Sequence, residues 1–332
     1  MSNAVLGLDI GGANLKAVHT DGTARTVPFS LWKRSGDLPV ALAELVRALP
    51  PFDRIAVTMT GELCDCFASK RAGVAAILDA VEQVADGLPV RVWRTDGQFA
   101  SSAEAKDGHL LTASANWHAL ATWAGRLAPE GPALLVDIGS TTTDVIPLFD
   151  GKPVARGKTD PERLRSSELV YFGVRRTTLM VYMRGDGAAE LFATTLDLFL
   201  LLGWMPDNPN DCDTADGRPA TRVHAEARLA RMLCADLETS TERERKDWMN
   251  ILLLRVVTDL SLAVISVART LPAPPQTVIV AGSGEKLARK VLEYQSAFPL
   301  GKGVALSKVL GPDGSEAACA HAVAVLAAEE GN

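Results

Sequence analysis

The stretches "VLGLDIGGANLKAV" at 5–18 and "LLVDIGSTTTDVI" at 134–146 each run apolar residues into an aspartate, Asp9 or Asp137, followed by Ile and Gly. A β-hairpin with glycine in its turn can point successive backbone N–H groups into one concavity, and such a nest takes phosphate oxygens. The aspartate that ends the first strand then stands beside the phosphates, placed to hold Mg2+ or a water bound to it. One such hairpin is equally well a plain tight turn. Two of them, one in each half of the chain, can face each other across a cleft and grip a di- or triphosphate from both sides. A third glycine-rich turn, "VIVAGSGEKLA" at 278–288, leads a buried strand through Gly282, Ser283 and Gly284 into a helix start. That geometry suits a nucleotide or another anion, but any α/β crossover can look like it.

Other chemistry is not signalled. His19, His109, His118, His224 and His321 show no H-x-H or H-x-x-x-H spacing, so neither a zinc site nor a Ser-His-Asp triad is legible. Five cysteines without a C-x-x-C pair fit reduced thiols, and Cys64 with Cys66 makes a weak metal pair because no histidine is near. The net charge of −6 is spread without a Lys/Arg run, which argues against a nucleic-acid partner. No uninterrupted apolar stretch reaches the roughly 18 residues that cross a bilayer. The chain enters its first strand without a basic and then apolar leader. The expectation is a cytoplasmic protein with no membrane partner.

With 332 residues the chain exceeds the usual ceiling for one core and fits two lobes. Residues 4–10, 15–20 and 25–31 predict a β-meander. A helix in "LPVALAELVRALP", a strand in "RIAVTMTGE", a helix in "RAGVAAILDAVEQVAD", a strand in "PVRVWRTD" and a helix in "SANWHALATWAGRLA" follow. The break "PEGP" at 129–132 divides an N-terminal lobe, 1–128, from a C-terminal lobe, 129–332. The second half restarts the opening pattern, aligning Asp9 with Asp137 and Gly11 with Gly139, which is the mark of an internal duplication. An insertion over about 160–250 holds a strand pair in "RSSELVYFGVRRTTLMVYM" and the turn-rich "PDNPNDCDTADGRPA". That last stretch is either a solvated excursion or a substrate-facing loop. Long helices are predicted over 222–246 and 247–271, the second apolar nearly all round.

In that order and at those separations, "LDIGGANLK", "VDIGSTTTD" and "VIVAGSGEK" resemble the phosphate-1, phosphate-2 and adenosine segments of the actin, Hsp70 and sugar-kinase superfamily. Within it, "AVTMTGELCDCFASKRAGV", "ANWHALA", "ELVYFGVRRTTL" and "TADGRPATRVHAEARLARML" resemble the hydantoinase/oxoprolinase-related branch, and more narrowly its proteins of tetrahydromethanopterin-linked one-carbon metabolism. The resemblance covers the whole chain. It implies an α/β, two-lobed actin-like fold with a ribonuclease H-like duplicated β-β-β-α-β-α core and a cleft between the lobes. It implies a Mg2+-dependent transferase of methanofuran-type cofactor biosynthesis. Such an enzyme condenses an aminomethylfuran-methyl diphosphate with the phenol of a glutamyltyramine or tyrosine and releases diphosphate. By the resemblance, Asp9 and Asp137 hold Mg2+ through water and N–H groups around Gly11, Gly12, Gly139 and Ser140 receive phosphate. Asn14, Thr141 and Thr142 belong to the same turns. Lys16 either adds positive charge or is an exposed strand lysine.

A furfuryl carbon bearing diphosphate ionises readily, so such a protein has mainly to stabilise the leaving group and position the phenol. The phenol, with a pKa of about 10, has to lose its proton as it attacks. Glu62, after the strand end in "TMTGE", and Asp144 are candidates for the base, with Lys70 or Arg71 as anion stabilisers. Arg175, Arg176 and Thr177 could meet a carboxylate of the acceptor. Each has an ordinary alternative: Glu62 as a cap, Asp144 as the end of a hairpin, the arginines as a solvated edge. An ATP-dependent kinase or amidohydrolase, or a nucleotide-binding scaffold, would use the same loops. An adenosine segment of this superfamily usually has adjacent glycines, so the split pair Gly282 and Gly284 puts ATP in doubt. The scattered histidines argue against a literal hydantoinase.

Overall fold

In the computed structural model, residues 4–294 and 301–330 are described. The run Val5–Ile10 is buried along its whole length, as a central strand covered on both faces must be. It forms β1, at the middle of a sheet with β2 (Asn14–His19), β3 (Ala24–Pro28), β4 (Arg54–Met59), β5 (Val90–Trp93) and β6 (Phe99–Ala100), in the order β3-β2-β1-β4-β5-β6. β2 pairs with β1 antiparallel through the first glycine turn, and β4 and β5 join in parallel after the crossover helices Leu38–Arg47 and Lys70–Ala85.

The second sheet repeats this plan with β7 (Pro132–Ile138), β8 (Thr143–Phe149), β9 (Lys152–Pro153), β10 (Leu169–Val170), β11 (Thr277–Ala281) and β12 (Lys302–Ala305). Its order is β10-β8-β7-β11-β12, with β9 appended to β8. β7 and β8 form the hairpin, and β11 and β12 join in parallel. The duplication expected from the two Asp-Ile-Gly stretches is thus present at the level of topology. The architecture is the two-lobed α/β fold implied by the actin-like resemblance.

Two helices lie between the sheets. Asn116–Ala124 and Ala318–Glu330 share one core with Val5 and Ala56 of the first sheet and Leu135, Ile146 and Ile279 of the second. The last helix is alanine-rich, and its backbone approaches β1 so closely that a side chain at Gly7 would collide with the Ala320 carbonyl. The C-terminal end of the expected second lobe, 129–332, therefore packs against the first sheet.

Three expectations of the sequence need correction. The helices of the insertion are Arg222–Met232 and Glu242–Ala268, not 222–246 and 247–271. Cys234 adopts a left-handed backbone that ends the first, and the Thr241–Glu244 capping box starts the second. The polar first turns of that helix hid its beginning. It is long and apolar enough to cross a membrane by length and composition, with half of its most apolar window buried. Leu252, Val256, Leu260 and Val264 pack in the second sheet's core. The strand pair expected in 165–183 reduces to the two residues of β10 and a short helix, Met180–Met183. Finally, β12 and the helix Leu306–Glu316 were not anticipated, because Gly311 and Pro312 kink the latter and break its periodicity.

Candidate active site

The carboxyl ends of β1, β7 and β11 converge on the cleft, the place where open α/β sheets leave backbone groups and side chains for a ligand. There the two hairpin turns face each other. Gly12, Ala13 and Asn14 line one wall of a small chamber, and Gly139, Ser140, Thr141 and Thr142 line the other. Gly282 and Ser283 of the third turn close it, together with Ser315 and Cys319 at the approach to the last helix. The N–H of Gly11 donates to Asn14 O at 3.0 Å and that of Gly139 to Thr142 O at 2.9 Å, so these two close their turns instead of facing a phosphate. Gly282 has φ +83, and a side chain there would strike Asp137 Oδ1, so this turn requires glycine. Gly284 packs on Ile138 and Val174 and does not line the chamber.

Strand register sets the chamber's charges. Asp9 lies opposite Lys16 across β1–β2, and Asp137 lies opposite Asp144 across β7–β8. Lys16 Nζ is 4.0 Å from Asp9 Oδ2, while Asp9 Oδ1 is buried without a hydrogen-bond partner. Burial raises the Asp9 pKa against the pull of Lys16. Burial, with Asp144 and Asp9 nearby, pushes that of Asp137 up to about 7. Burial also raises Asp144, although Arg163 Nη2 donates to its Oδ1 at 2.6 Å. Burial works against the charge of Lys16, yet the surrounding acids, Asp9 foremost, leave its pKa above the usual value.

A cavity of about 500 Å³ adjoins the chamber and shares Gly12, Ala13, Thr60, Asn116, Thr141, Thr142 and Asp144 with it. Trp32 and Tyr171 supply aromatic surface, and Arg163 and Arg176 supply positive charge. The Arg163 guanidinium lies 4.2 Å from the centroid of Trp117, and that of Arg176 lies 3.9 Å from the centroid of Trp32. Ser114 and Asp160 stand in its wall.

Glu62 is fully buried behind that wall, and burial pushes its pKa up to about 7. Ser114 Oγ lies 2.8 Å from Glu62 Oε1 and 2.9 Å from Asp160 Oδ2, and Lys70 Nζ lies 3.1 Å from the same Asp160 oxygen. Of the expected acceptor contacts, only Arg176 lines the cavity. Lys70 is held by Asp160, and Arg175 is held by Asp211 at 2.7 Å. Thr177 Oγ1 accepts from the Gly173 N–H at 3.0 Å. The segment "YFGVRRTT" buttresses the second hairpin turn: the N–H of Val174 donates to Gly139 O, and those of Arg175 and Arg176 donate to Ser140 O. Arg71 does not line the cavity or the chamber. Sequence reasoning passed over Trp32, Thr60, Ser114, Asn116, Asp160, Arg163 and Tyr171. One of these had a signal, because "TDPE" at 159–162 is a capping box with proline in the first turn and fixes Asp160 at a helix start.

The hydantoinase/oxoprolinase family profile matches residues 53–329. Over 337 aligned positions the chain is 33% identical to the (4-{4-[2-(gamma-L-glutamylamino)ethyl]phenoxymethyl}furan-2-yl)methanamine synthase of Methanocaldococcus jannaschii, covering 98% of each chain. It is 31% identical over 209 residues to the synthase of the same name from Methanococcus vannielii, covering 60% of this chain and 92% of that one. Among solved structures, nucleotide-free acetone carboxylase superposes with a TM-score of 0.58 over 97% of this chain and 70% of its own, at 12% identity, which is a likeness of fold. The profile covers most of the chain and the archaeal synthase aligns from end to end, so this protein belongs to the hydantoinase/oxoprolinase family.

Proposed function

We propose that this protein is a transferase that joins the phenol of a glutamyltyramine to the furfuryl carbon of an aminomethylfuran-methyl diphosphate and releases diphosphate. The product is the phenoxymethyl-furan amine in the name of its full-length archaeal relative. The observation that carries this reading is the shared wall of chamber and cavity, made by Gly12, Thr141, Thr142 and Asp144. A diphosphate seated between the two hairpins puts the carbon attached to it at that wall, and an aromatic acceptor in the larger cavity approaches it from the other side.

The residues fit Mg2+ held through water. Asp9 offers a buried, unpartnered oxygen, and Asp137 faces the same chamber. Among the described residues, no three His, Cys, Asp or Glu side chains are grouped to ligate an ion directly, as suits a metal that keeps most of its waters. When bound, Mg2+ neutralises charge that builds on the leaving diphosphate. Lys16 adds a fixed positive charge, and the turn N–H groups other than those of Gly11 and Gly139 donate to phosphate oxygens without reorganising. On the acceptor side, Arg176, oriented by Trp32, meets the carboxylate of the glutamyl group.

The test is incubation of the protein and Mg2+ with a synthetic donor diphosphate and γ-glutamyltyramine, followed by mass spectrometry of the ether and an assay of free diphosphate. Ether and diphosphate in equal amounts, with no requirement for ATP, are expected. No ether with glutamyltyramine, tyramine or tyrosine overturns the reading, as does formation of ADP in step with any product.

A further inference from the structure

Three groups from different parts of the fold meet beside the acceptor cavity. Glu62 follows β4, Ser114 precedes the helix Asn116–Ala124, and Asp160 begins the helix Asp160–Arg165 of the other lobe. Ser114 Oγ lies between the two carboxyl groups, at 2.8 Å from Glu62 Oε1 and 2.9 Å from Asp160 Oδ2. A serine hydroxyl has one proton and donates to one acceptor. Both contacts are hydrogen bonds only when one of the carboxyl groups brings a proton of its own. Glu62 is the group placed to carry it: it is fully buried, its Oε2 has no partner, and burial pushes its pKa up to about 7. Asp160 has the Lys70 ammonium at 3.1 Å and faces the cavity, which holds it ready to accept. Ser114 keeps a left-handed backbone, φ +51, where glycine would sit without strain. A hydroxyl thus stands at a position whose backbone does not favour it.

We propose that Asp160 takes the phenolic proton of the acceptor and passes it through Ser114 to Glu62, which holds it while the ether forms; the inference rests on the transferase reading above. The phenol oxygen uses the electron pair of its O–H bond to bond the furfuryl carbon. The bond from that carbon to the diphosphate oxygen breaks, and its pair leaves with diphosphate. The phenolic proton arrives on Asp160. That proton moves to Ser114 Oγ as the serine's own proton moves to Glu62, and Glu62 later releases it to solvent. Asp160 is the catalytic residue, while Ser114 and Glu62 are positioning residues that act through it. Turnover then requires Glu62 to be ionised at its start. The charged groups that bear on this are Lys70, Asp160 and Cys64 around Glu62, and Lys70 and Asp144 around Asp160.

The experiment uses the full-length protein, the synthetic donor, γ-glutamyltyramine, and a ring-fluorinated γ-glutamyltyramine whose phenol is already ionised at the assay pH. In the wild type, kcat/KM for γ-glutamyltyramine rises with pH through an inflection near that of Glu62, at about 7. Asp160→Asn loses about 100-fold or more with γ-glutamyltyramine and about 10-fold or less with the fluorinated acceptor. Ser114→Ala loses activity in the same acceptor-dependent way and displaces the inflection. Substrate-free infrared titration of wild type against Glu62→Gln reports the stored proton directly, as a protonated-carboxyl band that disappears near the same pH and is missing in the variant. Equal losses with both acceptors, an inflection unmoved by Ser114→Ala, or no titrating carboxyl band overturns the relay while leaving the transferase reading in place. A wild type that makes no ether overturns both.

Discussion

Lys16 stands across the first hairpin from Asp9, its Nζ 4.0 Å from the carboxylate, and the matching place on the second hairpin puts Asp144 opposite Asp137. Duplication has therefore produced two hairpin turns of one shape with different charges behind them. Burial raises the pKa values of Asp9, Asp137 and Asp144, with Asp144 adding to the first two, and Lys16 and Arg163 are the cations set against them. Arg163 is committed to Asp144 and to the carbonyl of Glu168, which leaves Lys16 as the cation facing the place where diphosphate would lie.

Replacing Lys16 with Met keeps the aliphatic stem and removes the charge. Three coupled carboxylates then face the donor without a fixed cation on the first hairpin. The expected result is a fall of about 100-fold in kcat/KM for the donor diphosphate, with little change in KM for the acceptor. Steady-state kinetics varying each substrate in turn separates the two. An equal rise in both KM values would place Lys16 outside the diphosphate site.

Gly282→Ala tests the third turn. The added carbon would strike Asp137 Oδ1 and the Ile138 carbonyl oxygen, and φ +83 strains any side chain there by roughly 1–3 kcal/mol. The Asp137 carboxylate is expected to be pushed into the chamber. The consequence would be loss of most diphosphate-dependent protection in a thermal melt, beyond the drop in the Tm of the free protein that the backbone clash with Ile138 causes. Protection by diphosphate equal to that of the wild type would show that Asp137 does not face the ligand.

Whether an element was legible in the sequence depended on how local its cause is. Asp9-Ile10-Gly11 and Asp137-Ile138-Gly139 are contiguous, with the apolar run that buries the strand, the carboxylate and the glycine side by side, and their aspartates and glycines line the chamber together. The cavity is assembled from Trp32, Ser114, Asp160, Arg163 and Tyr171, which come together only through tertiary packing. Charge alone also misled. Lys70 and Arg175 read as ligand contacts because their partners, Asp160 and Asp211, lie 90 and 36 residues away along the chain. Nothing in the letter Ser114 announces a left-handed backbone. Arg176, from the same basic run as Arg175, does reach the cavity, and the packing of Trp32 on one and the ion pair with Asp211 on the other distinguish the two.

Arg176→Ala should separate acceptor recognition from donor chemistry. No carboxylate lies within ion-pair distance of Arg176 among the described residues, and its guanidinium lies over Trp32, 3.9 Å from the ring centroid, at the cavity wall. Losing a charge-assisted hydrogen bond of about 1.5–3 kcal/mol is expected to raise KM for γ-glutamyltyramine at least 10-fold. Tyramine, which lacks the glutamyl carboxylate, should be used equally well by variant and wild type. A uniform loss with both acceptors would make Arg176 a packing residue.

Glu62→Gln should stabilise the protein in a pH-dependent way whose sign follows from burial. Folded Glu62 keeps its proton up to about pH 7, whereas its ordinary pKa is 4.5. Between those values the folded state binds more protons than the unfolded state, so stability falls as pH rises through the window. Above pH 7 the buried, ionised carboxylate costs roughly 3 kcal/mol relative to its protonated form. Glutamine cannot ionise and avoids that cost while still offering a side-chain amide to Ser114. The Tm of the variant minus that of the wild type is therefore expected to be more positive at pH 8 than at pH 5, by about 5 °C. The same variant should lose activity at pH 8, where the wild type has its relay open, so stability and turnover move in opposite directions with one substitution. A Tm difference that does not change with pH would mean that Glu62 is ionised across the whole range and that Ser114 donates to it alone.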